Sequence, residues 1–217
     1  MRCVWVLLLC AVALPAGLHA ETVAFVGDSI TAGYGLDESQ AYPALVQDAL
    51  RLRAPTWKVI NAGVSGDTTT GGVRRLNWIL KAKPDLVVLA LGANDGLRGA
   101  TPEQIAANLR TMIQHVREAG AKPLLVGMEL PINYGADYRT RFAAIYPALA
   151  AETSTPLLPF LLTGVAAKPE LNQSDGIHPN ATGQQIIARA MLEFLTAAGG
   201  LPAAGVPAAD NAAAGKP

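Results

Sequence analysis

Asp85-Leu86-Val87-Val88-Leu89-Ala90-Leu91, followed at once by Gly92-Ala93-Asn94-Asp95, is the stretch on which the fold turns. Its apolar residues run on without alternation. That is the pattern of a strand buried on both faces, as in a parallel sheet covered by helices. Similar runs recur on either side. Thr22-Val23-Ala24-Phe25-Val26 ends at Gly27, and Trp57-Lys58-Val59-Ile60-Asn61 ends at Ala62-Gly63. Pro123-Leu124-Leu125-Val126-Gly127-Met128 and Thr155-Pro156-Leu157-Leu158-Pro159 come later.

Helical stripes separate these runs. Residues 42–53 carry Leu45, Val46, Ala49 and Leu50 at helical spacing, and residues 72–82 carry Val73, Leu76, Ile79 and Leu80. The clearest helix opens with Thr101-Pro102-Glu103-Gln104. Thr101 can cap it, Pro102 suits its first position, and Gln104 would complete a capping box. Ile105, Leu109, Met112, Ile113 and Val116 then make one apolar face, and Gly120 stops the helix. Residues 138–151 and 181–198 read as two more helices. Strand and helix alternate, so the expected class is α/β with a parallel sheet and helices on both faces. In such sheets ligands gather beyond the C-terminal strand ends, which directs attention to the loops after the strands.

The 217 residues carry 17 basic and 17 acidic side chains, a formal charge of zero. That balance argues against a nucleic-acid binder, which needs a basic surplus. Residues 1–20 read as a signal peptide. Met1-Arg2 starts it, an apolar run follows, Pro15 and Gly17 break the run, and Ala20 ends it. The run is short for a membrane span. Leu9 directly before Cys10 argues against a lipoprotein site. Both cysteines, Cys3 and Cys10, fall in this segment, so a mature chain would hold no disulfide and no thiolate nucleophile. Residues 21–198 form one expected domain. Residues 199–217, almost all Ala, Gly and Pro, read as a flexible tail.

Four loops carry the polar residues. Gly27-Asp28-Ser29-Ile30 sets a serine just past a buried strand, where it can be a nucleophile or a helix cap. Asn61 to Thr70 is rich in Gly, Ser and Thr, and Gly63 can offer its amide to an anion or simply make a turn. Gly92-Ala93-Asn94-Asp95 places a carboxamide that can donate to a developing oxyanion or serve as a turn residue. In Asp175-Gly176-Ile177-His178-Pro179-Asn180 the Asp lies three residues before the His. It can orient the ring toward a serine, or the pair can satisfy its own loop. The chain has three histidines. His19 lies in the expected leader and His115 on the edge of an amphipathic helix, leaving His178 as the loop base. So few His, with no Cys in the mature chain, excludes a His/Cys zinc site. P-loop and dinucleotide fingerprints are absent.

In that order, the four blocks resemble the SGNH (GDSL-type) serine hydrolases, with Ile30 where the family name has leucine. Ala32-Gly33-Tyr34-Gly35-Leu36 and Glu129-Leu130-Pro131-Ile132-Asn133-Tyr134-Gly135 are similar to its small bacterial lysophospholipase/thioesterase/arylesterase branch. The resemblance implies a three-layer α/β/α flavodoxin-like fold with a five-stranded parallel sheet, no metal, no cofactor, and a periplasmic or secreted location. It implies catalysis by Ser29, Asp175 and His178, with the oxyanion held by Ser29, Gly63 and Asn94. The expected partner is a small-molecule ester, thioester or lysophospholipid and, through the last, membrane lipids; a monomer is expected. Ile132 and Tyr134 are the candidate acyl-chain wall, unless they pack under the sheet. A carbohydrate O-acetylesterase on the same fold, or a non-catalytic binding module, are the rival readings. A sugar site would want exposed Trp, whereas Trp57 starts a strand and Trp78 lies in a helix.

Overall fold

The structure is a computed structural model that describes residues 21–201. The leader expected over residues 1–20, and residues 202–217 of the expected tail, lie outside the described residues. The five strands are β1 (Thr22–Gly27), β2 (Lys58–Gly63), β3 (Leu86–Ala90), β4 (Lys122–Val126) and β5 (Leu157–Leu158). They form one sheet in the order β2-β1-β3-β4-β5, with every pairing parallel.

The apolar runs behave as their pattern predicts in the middle of the sheet, where β1, β3 and β4 are buried nearly throughout. The edges differ. β2 is only partly buried, with Lys58 and Asn61 exposed, because it has a neighbour on one side alone. β5 is cut to two residues by Pro156 and Pro159, whose nitrogens cannot donate to a ladder.

The helices are α1 (Ser29–Ala32), α2 (Tyr42–Arg53), α3 (Thr69–Leu80), α4 (Ala93–Leu97), α5 (Pro102–Glu118), α6 (Ala136–Thr153) and α7 (Ala181–Ala197). α3 begins three residues before the expected start, because the Thr68 side chain accepts from the Gly71 amide and caps it there. α5 starts at the expected cap, but the Gln104 side chain takes no bond from the Thr101 amide, so the expected capping box is only half formed. Thr101 Oγ1 accepts from the Gln104 amide, and Ile105, Leu109, Met112, Ile113 and Val116 are the buried face.

Right-handed crossovers from β1 out to β2 and back past β1 to β3 put α2 and α3 on opposite faces. α2 packs with α7 on one face; α3, α5 and α6 pack in sequence on the other. This is the three-layer α/β/α arrangement. The ordered chain also continues past Gly199: Leu201 is buried and its amide donates to the Leu195 carbonyl. The direction of the connections reverses between β1 and β3, and Gly27 and Ala90 stand side by side at their ends. The crevice beyond those ends is where this topology places a ligand site.

Candidate active site

The chain leaves β1 through Gly27, where a Cβ would fall 1.9 Å from Thr31 Oγ1, so only glycine lets the chain turn this tightly into α1. Asp28, not Ser29, caps α1: its Oδ1 accepts from the Ile30 amide at 3.0 Å. Ser29 is the first residue of the helix and is therefore free of the capping duty the sequence left open. Gly33, at φ +76°, ends α1 after a single turn. Asp28 is 1% exposed, and burial raises its pKa to about 6.

Across the crevice, Asn180 caps α7 by accepting from the Thr182 and Gly183 amides. The loop before it holds the acid and the base. Asp175 Oδ1 accepts from the amides of Ile177 (2.9 Å) and His178 (3.0 Å). Its Oδ2 lies 2.7 Å from His178 Nδ1. The His178 amide, the imidazole and the Ile177 amide together lower the Asp175 pKa to about 2. An ionised carboxylate at Nδ1 favours the tautomer with the proton there, leaving Nε2 as an acceptor. Nε2 lies 2.9 Å from Ser29 Oγ, so the serine hydroxyl can donate to it. The structure thus brings Ser29, His178 and Asp175 into one hydrogen-bonded chain.

Several residues the sequence did not single out hold this chain in place. Gln184 is buried in α7; it accepts from the Tyr42 amide at 2.9 Å and donates to the Ile30 carbonyl at 3.1 Å. Gln173 Nε2 donates to the Tyr34 carbonyl at 2.7 Å and to the Pro179 carbonyl at 3.1 Å. A single glutamine so joins the loop after α1 to the histidine loop. Local sequence gives no signal for either, because their partners lie far away in the chain.

The expected oxyanion donors are only partly free. The Gly63 amide donates to Asn61 Oδ1 at 3.0 Å, so this structure does not present it to a substrate. Glycine is needed at 63 for another reason: a Cβ there would lie 2.3 Å from the Ala32 nitrogen, where the end of β2 packs on α1. Gly66, three residues on, has an amide with no acceptor among the described residues. It occupies the third position of a turn closed by the Asp67 amide on the Val64 carbonyl (3.0 Å), with φ +77° as a type II turn requires. Arg98 Nη2 holds the Gly66 carbonyl at 3.0 Å. The Ser29 amide and the Asn94 carboxamide are likewise without partners among the described residues.

Asn94 stands in the short helix α4 rather than in a turn. Its neighbour Asp95 is buried and accepts from Thr69 twice, from the amide at 2.8 Å and from Oγ1 at 2.6 Å. This ties the start of α3 to α4. Ile132 and Tyr134 form a single 3-10 turn after β4. Neither lies under the sheet. Ile132 is 84% exposed, and the half-buried Tyr134 donates its hydroxyl to the Leu97 carbonyl at 3.2 Å, beside the end of α4. Trp57 is buried at the opposite end of the sheet, before β2, and the exposed Trp78 stands near the far end of α3. His115, half-buried in α5, takes no part in the cluster.

Residues 25–186 match the GDSL-like Lipase/Acylhydrolase family. The chain is 48% identical to the esterase TesA of Pseudomonas aeruginosa over 166 residues, covering 76% of this chain and 83% of that protein. It is 46% identical over 177 residues to the thioesterase 1/protease 1/lysophospholipase L1 of Escherichia coli strain K12, covering 81% and 84%. A crystal structure of TesA superposes with a TM-score of 0.79 at 45% identity, covering 82% of this chain and 99% of the other. The chain belongs to the GDSL-like lipase/acylhydrolase family.

Proposed function

We propose that the protein is a serine hydrolase that cleaves carboxylic esters and thioesters through an acyl-enzyme. The observation that carries the reading is the continuous hydrogen-bonded chain from Ser29 Oγ through His178 to Asp175. Ser29 Oγ attacks the carbonyl carbon while its proton passes to His178 Nε2. The tetrahedral intermediate collapses, the carbon–oxygen or carbon–sulfur bond to the leaving group breaks, and His178 returns the proton to that group. Water then attacks the acyl-serine by the same proton path and releases the acid. Asp175 keeps the ring oriented and stabilises the imidazolium.

The oxyanion is assigned to the amides of Ser29 and Gly66 and the carboxamide of Asn94. Gly66 replaces Gly63 in this role because its amide is unengaged. Loss of one such donor costs about 10²–10³ in kcat.

The substrate class follows from the family and from relatives named esterase, thioesterase and lysophospholipase. The exposed apolar turn at Ile132, with Tyr134 beside α4, suits an acyl chain leaving the crevice. The leader-like residues 1–20 fit a protein exported to the periplasm or beyond.

The test is a chromogenic ester series from acetyl to palmitoyl, an acyl-CoA and a lysophospholipid, run on the parent and on Ser29→Ala. The parent should turn over esters and thioesters and be labelled at Ser29 by an organophosphonate. Turnover surviving in Ser29→Ala, or labelling elsewhere, overturns the assignment. An unchanged chain-length profile in Ile132→Ala and Tyr134→Ala removes these two from the acyl site.

A further inference from the structure

The ladder between β1 and β2 ends at the pair Gly27–Gly63. The loops that carry the Ser29 and Gly66 amides both lie beyond it, so contacts past the ladder set their relative position, the close packing of Gly63 on Ala32 among them. Arg75, on α3, reaches both. Its Nη2 donates to the Gly27 carbonyl at 3.0 Å and its Nη1 to the Ala62 carbonyl at 2.6 Å. Its Nε donates to Asp67 Oδ2 at 2.6 Å. Gly27 stands two residues before Ser29, and Asp67 directly follows Gly66. The Gly27 carbonyl also accepts from the Val64 amide at 3.0 Å, so the two loops meet on that one oxygen.

The residue type matters. A guanidinium is planar and presents several donors in fixed directions, which an ammonium on a flexible stem does not. The Arg75 side chain is 22% exposed and that of Asp67 10%, so water competes weakly for these bonds. Because Asp67 balances the charge, the arginine brings little net positive field to the crevice. Its contribution is geometric.

We propose that Arg75 is a positioning residue for the reaction: it locks the ends of β1 and β2 and the turn at Gly66 in the one arrangement that lets two backbone amides converge on the oxyanion. The proposal rests on the assignment of the Ser29 and Gly66 amides to the oxyanion. Productive geometry must hold within about 0.5 Å, and a displacement of about 1 Å can cost about 10² in rate.

The experiment compares Arg75→Gln, Arg75→Lys, Asp67→Asn and Asn94→Ala in the full chain, with thermal unfolding of each recorded beside kcat and KM on an aryl butyrate. Arg75→Gln should lose about 10²-fold in kcat with KM within about threefold, because the ground-state carbonyl uses the oxyanion donors little. Arg75→Lys, which restores some of the bonds, should recover part of that loss. Affinity for a trifluoromethyl ketone, which forms a tetrahedral adduct, should fall in step with kcat. Should Arg75→Gln fail to fold, Arg75→Lys and Asp67→Asn carry the comparison, each with a smaller kcat loss at unchanged KM. A folded Arg75 variant with parental kcat, or one in which KM alone rises, overturns the proposal. Asn94→Ala separates the two levels of the argument. If it loses kcat while the Arg75 variants do not, the role of Arg75 falls alone; if kcat falls in none of them and trifluoromethyl ketone affinity is parental in all, the oxyanion assignment beneath it falls.

Discussion

Tyr34 lays its ring against the imidazole of His178, with centroids 4.7 Å apart and planes inclined at 42°. Its amide donates to the Ser29 carbonyl at 3.0 Å, and its own carbonyl accepts from Gln173. One residue thus leans on the proposed nucleophile's helix and on the proposed base. A ring contact of this kind is worth about 0.5–1.5 kcal/mol, which corresponds to about two- to tenfold in rate if it is all spent on holding His178. Tyr34→Ala should lower kcat/KM by that amount, and Tyr34→Phe should match the parent. A loss in Tyr34→Phe equal to that in Tyr34→Ala would assign the effect to the hydroxyl and remove the ring contact from the account.

Asp175 and His178 should not be equally costly to replace. The carboxylate is held ionised by two loop amides and the imidazole, with its pKa lowered to about 2. The stabilisation from those contacts is present above the ordinary value of 3.8 and is lost only as pH falls through about 2. Asp175 therefore stays charged wherever ester hydrolysis is measured. Asp175→Asn keeps an oxygen for the two amides, and the 40% exposure of the side chain lets water share its work. We expect Asp175→Asn to lose less kcat than His178→Ala on an aryl ester at neutral pH. The reverse order would mean that the carboxylate does more than orient the ring.

The sheet and the first three loops were legible because each of those loops follows a strand-like run, and parallel strands bring such loops to one edge; the fourth was legible from the three-residue spacing of Asp175 and His178. The choice between Gly63 and Gly66 was not. A glycine is kept either for a free amide or for close approach of another chain, and both loop glycines fit either use in sequence. Only the position of Ala32 against Gly63, and the Asn61 side chain on its amide, separate them. Arg75, Gln173 and Gln184 were invisible for a related reason. Each acts on carbonyls or amides that local sequence does not place near it. The apolar stripe begins only at Val73, so it does not show that α3 starts at Thr69, where Thr68 caps it and Asp95 anchors Thr69.

That anchor leads to a stability prediction. Asp95 accepts both polar hydrogens of Thr69, and Thr69 Oγ1 in turn accepts from Asn108 Nδ2 at 2.9 Å. Asp95→Ala would leave a buried amide and hydroxyl without their acceptor, at a cost of about 1–3 kcal/mol each before relaxation. We expect a loss of about 3 kcal/mol in unfolding free energy by urea denaturation. Asp95→Asn, which keeps one acceptor oxygen, should lose about half as much. Asn94 is the preceding residue, so kcat should fall in both. An Asp95→Ala protein within about 1 kcal/mol of the parent would show that water reaches Thr69 and replaces the carboxylate.

Asp28 sets the pH dependence of stability beside the nucleophile. Burial lifts its pKa from 3.8 to about 6, against the opposing pull of the Ile30 amide and His178. Between those values the folded chain keeps a proton that the unfolded chain has released. Stability is therefore full below 3.8 and falls as pH rises to about 6, by an amount on the order of 3 kcal/mol. Asn at 28 cannot ionise and keeps the oxygen that caps α1. Urea midpoints should then show Asp28→Asn level with the parent at about pH 4 and more stable above about pH 6. A gap between the two proteins that stays constant from acid to neutral pH would mean that Asp28 ionises at its ordinary value. The raised pKa next to Ser29 would then have to be given up.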